Sequence, residues 1–429
     1  MITHSFFHSL QIYFEDNLGS NSYMALEQHP MWRLPQHHLD SDDTHDHVHW
    51  VELFYDLIHV VIIFLLGNYL SENISISGFI TFAGVFIAVW FAWADSSMFN
   101  SLYVSTDIKH RLIMSSQIVT AMIMAAAIPS VTEEGWFYFA LAFAANRTIT
   151  AFLYHRTNQL GVEETRMARK ISNNFFALAI VFAISAFTPK PYNFYVFALG
   201  IIAIQLLYML PKIGVLENQR FIPRLGHMSE RFALLLLIVV GEGFFKLVVT
   251  LSEEGVHQIT PSILTNFMFG GFAVFVMCWI YFDFVGNGKP KDKTKTTLVS
   301  WWLAHLFLML SAVLVGVSLA GEVKVGFWEP FPLKYAVLGC FGLAGYLLCL
   351  LWIQFTIEHR VAHRFATVKI RLLGVVLALL TLVIIPYVPA IVGNLVWGTA
   401  LLSQIAIPVT KAYLTISKEE GQEKGKART

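Results

Sequence analysis

Charge is scarce in this 429-residue chain: Asp, Glu, Lys and Arg together make up 14% of it, against about 25% in an ordinary soluble domain. The 29 basic and 29 acidic side chains cancel, which excludes nucleic-acid binding by bulk electrostatics. Cysteine is nearly absent as well. Cys278, Cys340 and Cys349 all lie inside apolar runs and cannot staple a secreted disulfide fold. There is no Walker A loop and no G-x-S-x-G, H-E-x-x-H or Cys-x-x-Cys motif, so soluble-type enzyme chemistry has no foothold and no cofactor is expected. The first 48 residues have no basic start, apolar stretch or small-residue cleavage site; a polar cytoplasmic tail is expected there, not a signal peptide.

Apolar residues are what the chain has in abundance. They make up 56% of it, with a mean hydropathy of +0.60, which excludes disorder. A bilayer core about 30 Å thick needs roughly 20 mostly apolar residues per helical crossing. Twelve stretches qualify: 50–70, 77–99, 112–129, 134–155, 171–188, 193–211, 229–251, 262–285, 298–321, 334–356, 369–388 and 390–410. The last two are separated only by Pro386–Pro389, yet 369–410 would extend about 63 Å as one helix, which is two crossings. The expected fold class is therefore all-α, a polytopic membrane protein of twelve transmembrane helices.

Positive charge tests that count, because cytoplasmic loops retain Lys and Arg. Counting a residue in the first turn of a span with the adjoining connection, only Lys190, Lys324 and Lys334 fall after odd-numbered spans, and only Arg147 and Lys246 lie deeper within spans. The other 24 fall in the tails or after even-numbered spans, Arg231 and Arg371 among them. Both termini are thus expected on the cytoplasmic side of the plasma membrane.

The rare polar positions carry a repeat. His49-Trp50-Val51-Glu52-Leu53-Phe54 and His227-Met228-Ser229-Glu230-Arg231-Phe232 are both His-x-x-Glu-x-Phe, 178 residues apart. Asp95 closes span 2 as Asp283 closes span 8; His110, Met114 and Ser116 match His305, Met309 and Ser311; Gln205 precedes Lys212 by the spacing at which Gln404 precedes Lys411. Six crossings is an even number, so the halves share orientation, as in parallel-repeat transporter folds. The expected organisation is a His/Asp-rich tail (1–48), a first six-helix repeat (49–212), a linker (213–226), a second six-helix repeat (227–411) and a tail (412–429).

A charge at the bilayer centre costs about 2.5–3.5 kcal/mol on insertion scales, so ionisable residues there face the bundle interior and find partners. His49, Glu52, Asp56 and His59 form one stripe on span 1, with Asp56 about 9 Å and His59 about 13 Å from the inner end. Topology brings Asp95, His110 and Arg147 near, and a network of Glu52, Asp56, Asp95, His110 and Arg147 is expected. In span 7 the counterparts of Asp56 and His59 are Leu234 and Leu237, while Glu242 stands opposite Phe64 between Gly241 and Gly243. Those glycines allow either close backbone approach or a local helix break. A Glu242–Lys246 pair one turn apart is the plainer expectation. With Glu230, Asp283 and His305 these residues make up the candidate polar network. Interhelical packing is the competing role for Glu52, Asp95 and His110. His45, His47 and His49, amid Asp40, Asp42, Asp43 and Asp46, are weak metal candidates. Trp90 with Trp93, and Trp301 with Trp302, fit interfacial belts, and Gly339, Gly342 and Gly345 fit helix packing.

Glu52-Leu53-Phe54-Tyr55-Asp56-Leu57 resembles the opening motif of the low temperature requirement protein A family of multi-pass membrane proteins. His110–Met114 with Ala125–Pro129, and His227–Phe232 with Gly241-Glu242, are similar to two further segments of it. His59 and Val240 depart from its pattern. The resemblance implies a role linked to growth or stress tolerance in the cold. The residues themselves point first to a transporter or channel for protons, cations or a small solute. An intramembrane metal-dependent enzyme and a non-transporting sensor or scaffold are the alternatives. The expected partners are the lipid bilayer and the carried ion or solute, with a homo-oligomer compatible and nucleic acid not.

Overall fold

The computed structural model describes residues 35–39, 48–105, 107–157, 162–209, 221–255, 257, 259–359 and 368–426. Among these, twelve α-helices follow one another where the sequence places twelve spans: α1 (Trp50–Glu72), α2 (Ile76–Leu102), α3 (Ile108–Ala127), α4 (Gly135–Arg156), α5 (Val162–Phe187), α6 (Tyr192–Met209), α7 (Leu225–Glu254), α8 (Pro261–Phe284), α9 (Lys295–Glu322), α10 (Leu333–Thr356), α11 (Val368–Ile384) and α12 (Ala390–Lys426). The protein is an all-α polytopic membrane protein. Ten of the helices are long and apolar enough to cross a membrane. The other two are α4, whose hydropathy is lowered by Asn146 and Arg147 near its middle, and α6, whose apolar stretch Tyr192–Leu206 is shorter.

Helix ends follow local chemistry. Ser75, Asp107, Thr260 and Thr294 each accept a hydrogen bond from a first-turn backbone N–H of α2, α3, α8 and α9, satisfying donors that a helix start leaves orphaned. Asp107 also accepts from Arg156 at 2.9 Å, which ties the end of α4 to the start of α3. Before α1, a strand β1 (Gln36–His37) pairs antiparallel with β2 (Tyr103–Val104), the two residues that follow α2.

In each half the first helix packs on the second and third, and the third to sixth pack in chain order: α3 on α4, α4 on α5, α5 on α6; α9 on α10, α10 on α11, α11 on α12. The halves meet where α1 and α2 face α7 and α9. Nearly all of α9 and the inner half of α2 are buried on every side, as helices apolar all round should be. The others turn exposed apolar side chains outward, Leu112, Ile180, Phe272 and Val376 among them. Gly339, Gly342 and Gly345 of α10 all face α9: a Cβ on Gly342 would lie 2.9 Å from Leu314 Cβ, and one on Gly345 2.7 Å from Ser311 Oγ.

The tryptophans do not form interfacial belts. Trp90, Trp93 and Trp301 are buried, packed with Phe232 of α7, which Trp90 stacks at 6.1 Å and Trp301 meets edge-on at 4.9 Å. Interior aromatic contacts across three helices outweigh the indole's preference for the water interface. The cysteines are free thiols.

Candidate functional site

Two polar stripes face each other where α1 meets α7. At 3.6 residues per turn, Glu52, Asp56 and His59 share one face of α1, and His227, Arg231, Glu242 and Lys246 fall within about 100° on α7. The polar side chains make these two helices adhere where apolar contact alone gives no drive.

Arg231 is the centre of the cluster near the start of α7. It is wholly buried, and its Nη2 donates to Asp56 Oδ1 at 2.8 Å and to Ser97 Oγ at 2.9 Å. Its Nη1 lies 3.5 Å from Glu52 Oε2. Trp93 Nε1 donates to the same Asp56 oxygen at 2.6 Å, and the guanidinium sits 5.5 Å above the Trp93 ring. His227 Nε2 is 3.5 Å from Glu52 Oε2, and its Nδ1 shares a 2.8 Å hydrogen bond with Ser101. One guanidinium thus faces two carboxylates from the other half of the chain. Asp56 Oδ2 and Glu52 Oε2 are buried and keep no hydrogen-bond partner.

The expected five-residue network divides in two. Asp95 belongs to a second pair inside the first half, receiving Arg147 Nη1 at 2.7 Å. Arg147 Nη2 donates to Asn146 at 2.7 Å, and its guanidinium lies 5.2 Å from the Phe143 ring and 5.6 Å from that of Phe175. Asn146 donates to Thr120, and Gln117 joins Ser96 of α2 to Thr150 of α4. Short polar side chains on three successive helices hold this pair, so Asp95 and Arg147 do not reach Asp56.

His59 Nδ1 bonds the Tyr55 carbonyl at 2.9 Å. A carbonyl only accepts, so the proton sits on Nδ1 and Nε2 carries the lone pair. Nε2 is buried with no partner. It lies beside a cavity lined by Ile63, Leu66, Trp93, Leu235, Val239 and Met309, with room for about one water molecule. At the inner end, a polar cavity of about 30 Å³ is lined by His49, Glu52, Asn100, His110, Arg111 and Arg224, space for about two waters. There both amide atoms of Asn100 and the Nδ1 of His110 are buried without partners. A larger cleft of about 170 Å³ between α2, α6 and α9 is mostly apolar and presents Asp95 and Gln205 as its polar groups.

Glu242 stands apart, in the C-terminal half of α7. The helix does not break at Gly241 or Gly243, since α7 runs unbroken from Leu225 to Glu254. Gly243 instead permits close packing, its Cα lying 3.3 Å from where a Cβ on Gly316 of α9 would be. Nor do Glu242 and Lys246 bond each other. Lys246 Nζ donates to Asn68 Oδ1 of α1 at 2.7 Å, and both Glu242 carboxylate oxygens are buried without hydrogen-bond partners.

The remaining candidates scatter. His305 is buried in the aromatic cluster, stacked 4.4 Å from Phe232, with its Nδ1 on the Trp301 carbonyl at 2.8 Å. Asp283, the repeat counterpart of Asp95, is exposed and accepts from Trp279 at 2.6 Å. Glu230 is half-buried on α7, outside the Arg231 cluster. His45 and His47 lie outside the described residues. His49 lines the inner cavity, and among the described residues no three His, Cys, Asp or Glu side chains gather as a metal site requires. Arg231, His227, Trp93 and Asn68 were not among the expected site residues. The signal for Arg231 was present, because four residues after His227 is the spacing that puts two side chains on one helix face.

Residues 47–407 match the family described as Bacterial low temperature requirement A protein. The chain belongs to this family. It is also 24% identical over 285 residues, 61% of its length, to an uncharacterized protein of Rhizobium meliloti (strain 1021), of which 67% is covered. The two segments whose resemblance to the family is plainest, Glu52–Leu57 and His227–Glu242, are the two sides of this seam.

Proposed function

We propose that this membrane protein is a transporter or channel, and that protons, cations or a small solute pass along the seam between α1 and α7. The observation that carries the reading is the order of polar groups along that seam. From the inner end these are the Asn100/His110 cavity, Glu52 with His227, Asp56 with Arg231, the His59 cavity and Glu242 with Lys246. Every residue in this order except Lys246 offers a buried side-chain atom with no hydrogen-bond partner, and those of Glu52, Asp56, His59 and Glu242 can take a proton or cation. Buried polar atoms are nearly always bonded, and a run of exceptions along one interface suits a path that takes a guest.

In this reading all twelve helices cross the plasma membrane as two like-facing bundles of six, with both termini cytoplasmic. Reciprocity supports the repeat. At an offset of 178, Asn68 and Lys246 are equivalent positions and touch; Gly67 faces Glu242 while their equivalents Phe245 and Phe64 pack at 4.8 Å. Contacts in which residue i meets j and j meets i are the mark of a two-fold axis. The Asp95–Arg147 pair, closed within one half by a 2.7 Å ion pair, serves packing. The family is described by a low temperature requirement, and in this reading the transport activity is what is required in the cold.

The test is ion flux in proteoliposomes under imposed pH, potassium and sodium gradients. Wild type should carry at least one of these ions and Asp56→Asn should lose most of the flux while still running as a monodisperse peak. Flux equal in the two proteins, or absent from both, removes the reading.

A further inference from the structure

Glu242 is 1% exposed, and its surroundings select what it can bind. The slot is built from close helix backbones. A Cβ on Gly67 of α1 would lie 3.3 Å from Glu242 Oε1 and 3.6 Å from Lys246 Nζ, and one on Gly316 of α9 would lie 3.7 Å from Oε2. The apolar Val317 of α9 stands beside Gly67, and Val274 of α8 stands beside Gly243. The charged or hydrogen-bonding groups facing the slot are Lys246 on its own helix and Asn68 on α1, whose oxygen Lys246 already holds. Glu72 and Glu253 act on Lys246 from the outer end.

A sodium or potassium ion exchanges its hydration shell for a ring of oxygens, as in carbonyl-lined filters. Here two carboxylate oxygens are free, the nearby backbone is helical with its carbonyls engaged, and the ammonium of Lys246 repels a second metal cation. A proton needs one lone pair and no ring. One turn inward, Val239 and Leu66 line a cavity that His59 also lines, and His59 Nε2 is buried without a partner.

We propose that Glu242 is a proton-binding carboxyl that exchanges its proton with the His59 cavity. Resting on the transport reading, this makes the proton the carried ion. The step is balanced. Glu242 is not itself part of the cavity lining, so a water admitted between Glu242 and His59 takes the proton of the acid O–H and passes one on to His59 Nε2, leaving a carboxylate that faces the Lys246 ammonium. From the imidazolium, the inner cluster of Asp56, Glu52 and Arg231 leads to the polar cavity at the cytoplasmic end.

The test is labelling with dicyclohexylcarbodiimide in the intact membrane, mapped by peptide mass spectrometry, beside proton, sodium and potassium flux in proteoliposomes. The carbodiimide attacks protonated carboxyls in apolar surroundings. Expected are one adduct on the Glu242 peptide that falls as pH rises, its loss in Glu242→Gln, labelling retained in Glu242→Asp, and at least a tenfold drop in proton flux in Glu242→Gln. Sodium or potassium flux without proton flux overturns the proton assignment and keeps the transport reading. Titrating label on Glu242 with no flux of any ion supports the proton site and removes the transport reading. Label absent, or constant with pH, from a monodisperse wild-type protein overturns the site itself.

Discussion

Lys246 of α7 gives its ammonium to Asn68 of α1 at 2.7 Å, and the two stand 178 positions apart, the separation of the His-x-x-Glu-x-Phe repeat. In the proposed two-fold repeat a position that meets its own counterpart lies on the axis, and this contact fastens one end of the seam as Arg231 fastens the other.

A buried ammonium that loses its one hydrogen-bond acceptor is worse than no ammonium at all. Asn68→Leu should therefore destabilise the protein by about 2–3 kcal/mol, and Asn68→Leu with Lys246→Leu should recover most of that loss. The melting midpoint in detergent, followed by size-exclusion chromatography after heating, reads both. A double variant less stable than the single one would mean that Lys246 finds another acceptor.

The two arginine–aspartate pairs are predicted to respond differently. Asp95→Asn weakens an ion pair held inside one half, so melting should fall while flux per folded molecule stays near wild type. Asp56→Asn weakens the seam itself and should lower both. Arg231→Met leaves Asp56 and Glu52 facing an apolar side chain, which costs about 3–5 kcal/mol, and adding Asp56→Asn should restore part of it. If Asp95→Asn alone abolished flux, the first-half pair would belong to the path after all.

Polar residues inside apolar helices were legible because each is expensive there: Glu52, Asp56, His59 and Glu242 were all expected inside the bundle and all are buried. Partnership was not legible. Periodicity gives the face a side chain occupies and not the neighbour it meets, so Asp95 was grouped with Asp56 although Arg147 holds it within α2–α4. Arg231 and Arg371 were counted as loop cations because a residue at the start of a span serves the positive-inside rule equally well, yet both are buried. Trp90, Trp93 and Trp301 were assigned to belts from average indole behaviour, and Phe232, an ordinary apolar residue in the sequence, is what gathers them.

The segment before α1 should come loose in acid. His38 Nε2–H donates to the Ile222 carbonyl at 3.0 Å, and His38 N to the Leu102 carbonyl at 2.9 Å, pinning β1 across the end of α2. Burial is the main cause that lowers the His38 pKa to about 4, and the neighbouring charge of His37 adds to it. The neutral ring is the form the folded protein prefers. A released imidazole titrates near 6.5, so this fastening is fully present above that pH and is lost as pH falls through about 4. Hydrogen exchange at residues 36–39 should accelerate between pH 6.5 and pH 4, and His38→Gln should flatten that dependence. Exchange that is steady over this range in wild type would show that the ring is not what holds the strand.

Two glycines near Glu242 should answer in opposite directions. A Cβ at Gly316 would stand 3.3 Å from the Gly243 Cα and 3.7 Å from Glu242 Oε2, so Gly316→Val must wedge α9 from α7. Overpacking of this kind costs about 1–3 kcal/mol. At Gly241 nothing lies within 4 Å of an added Cβ, and the residue sits mid-helix, where alanine is favoured over glycine by about 1 kcal/mol. Gly241→Ala should thus raise the melting midpoint and Gly316→Val should lower it, while proton flux follows the second change and not the first. A stabilising Gly316→Val would mean that α7 and α9 are not in contact at Glu242, and the slot that singles out a proton would lose its walls.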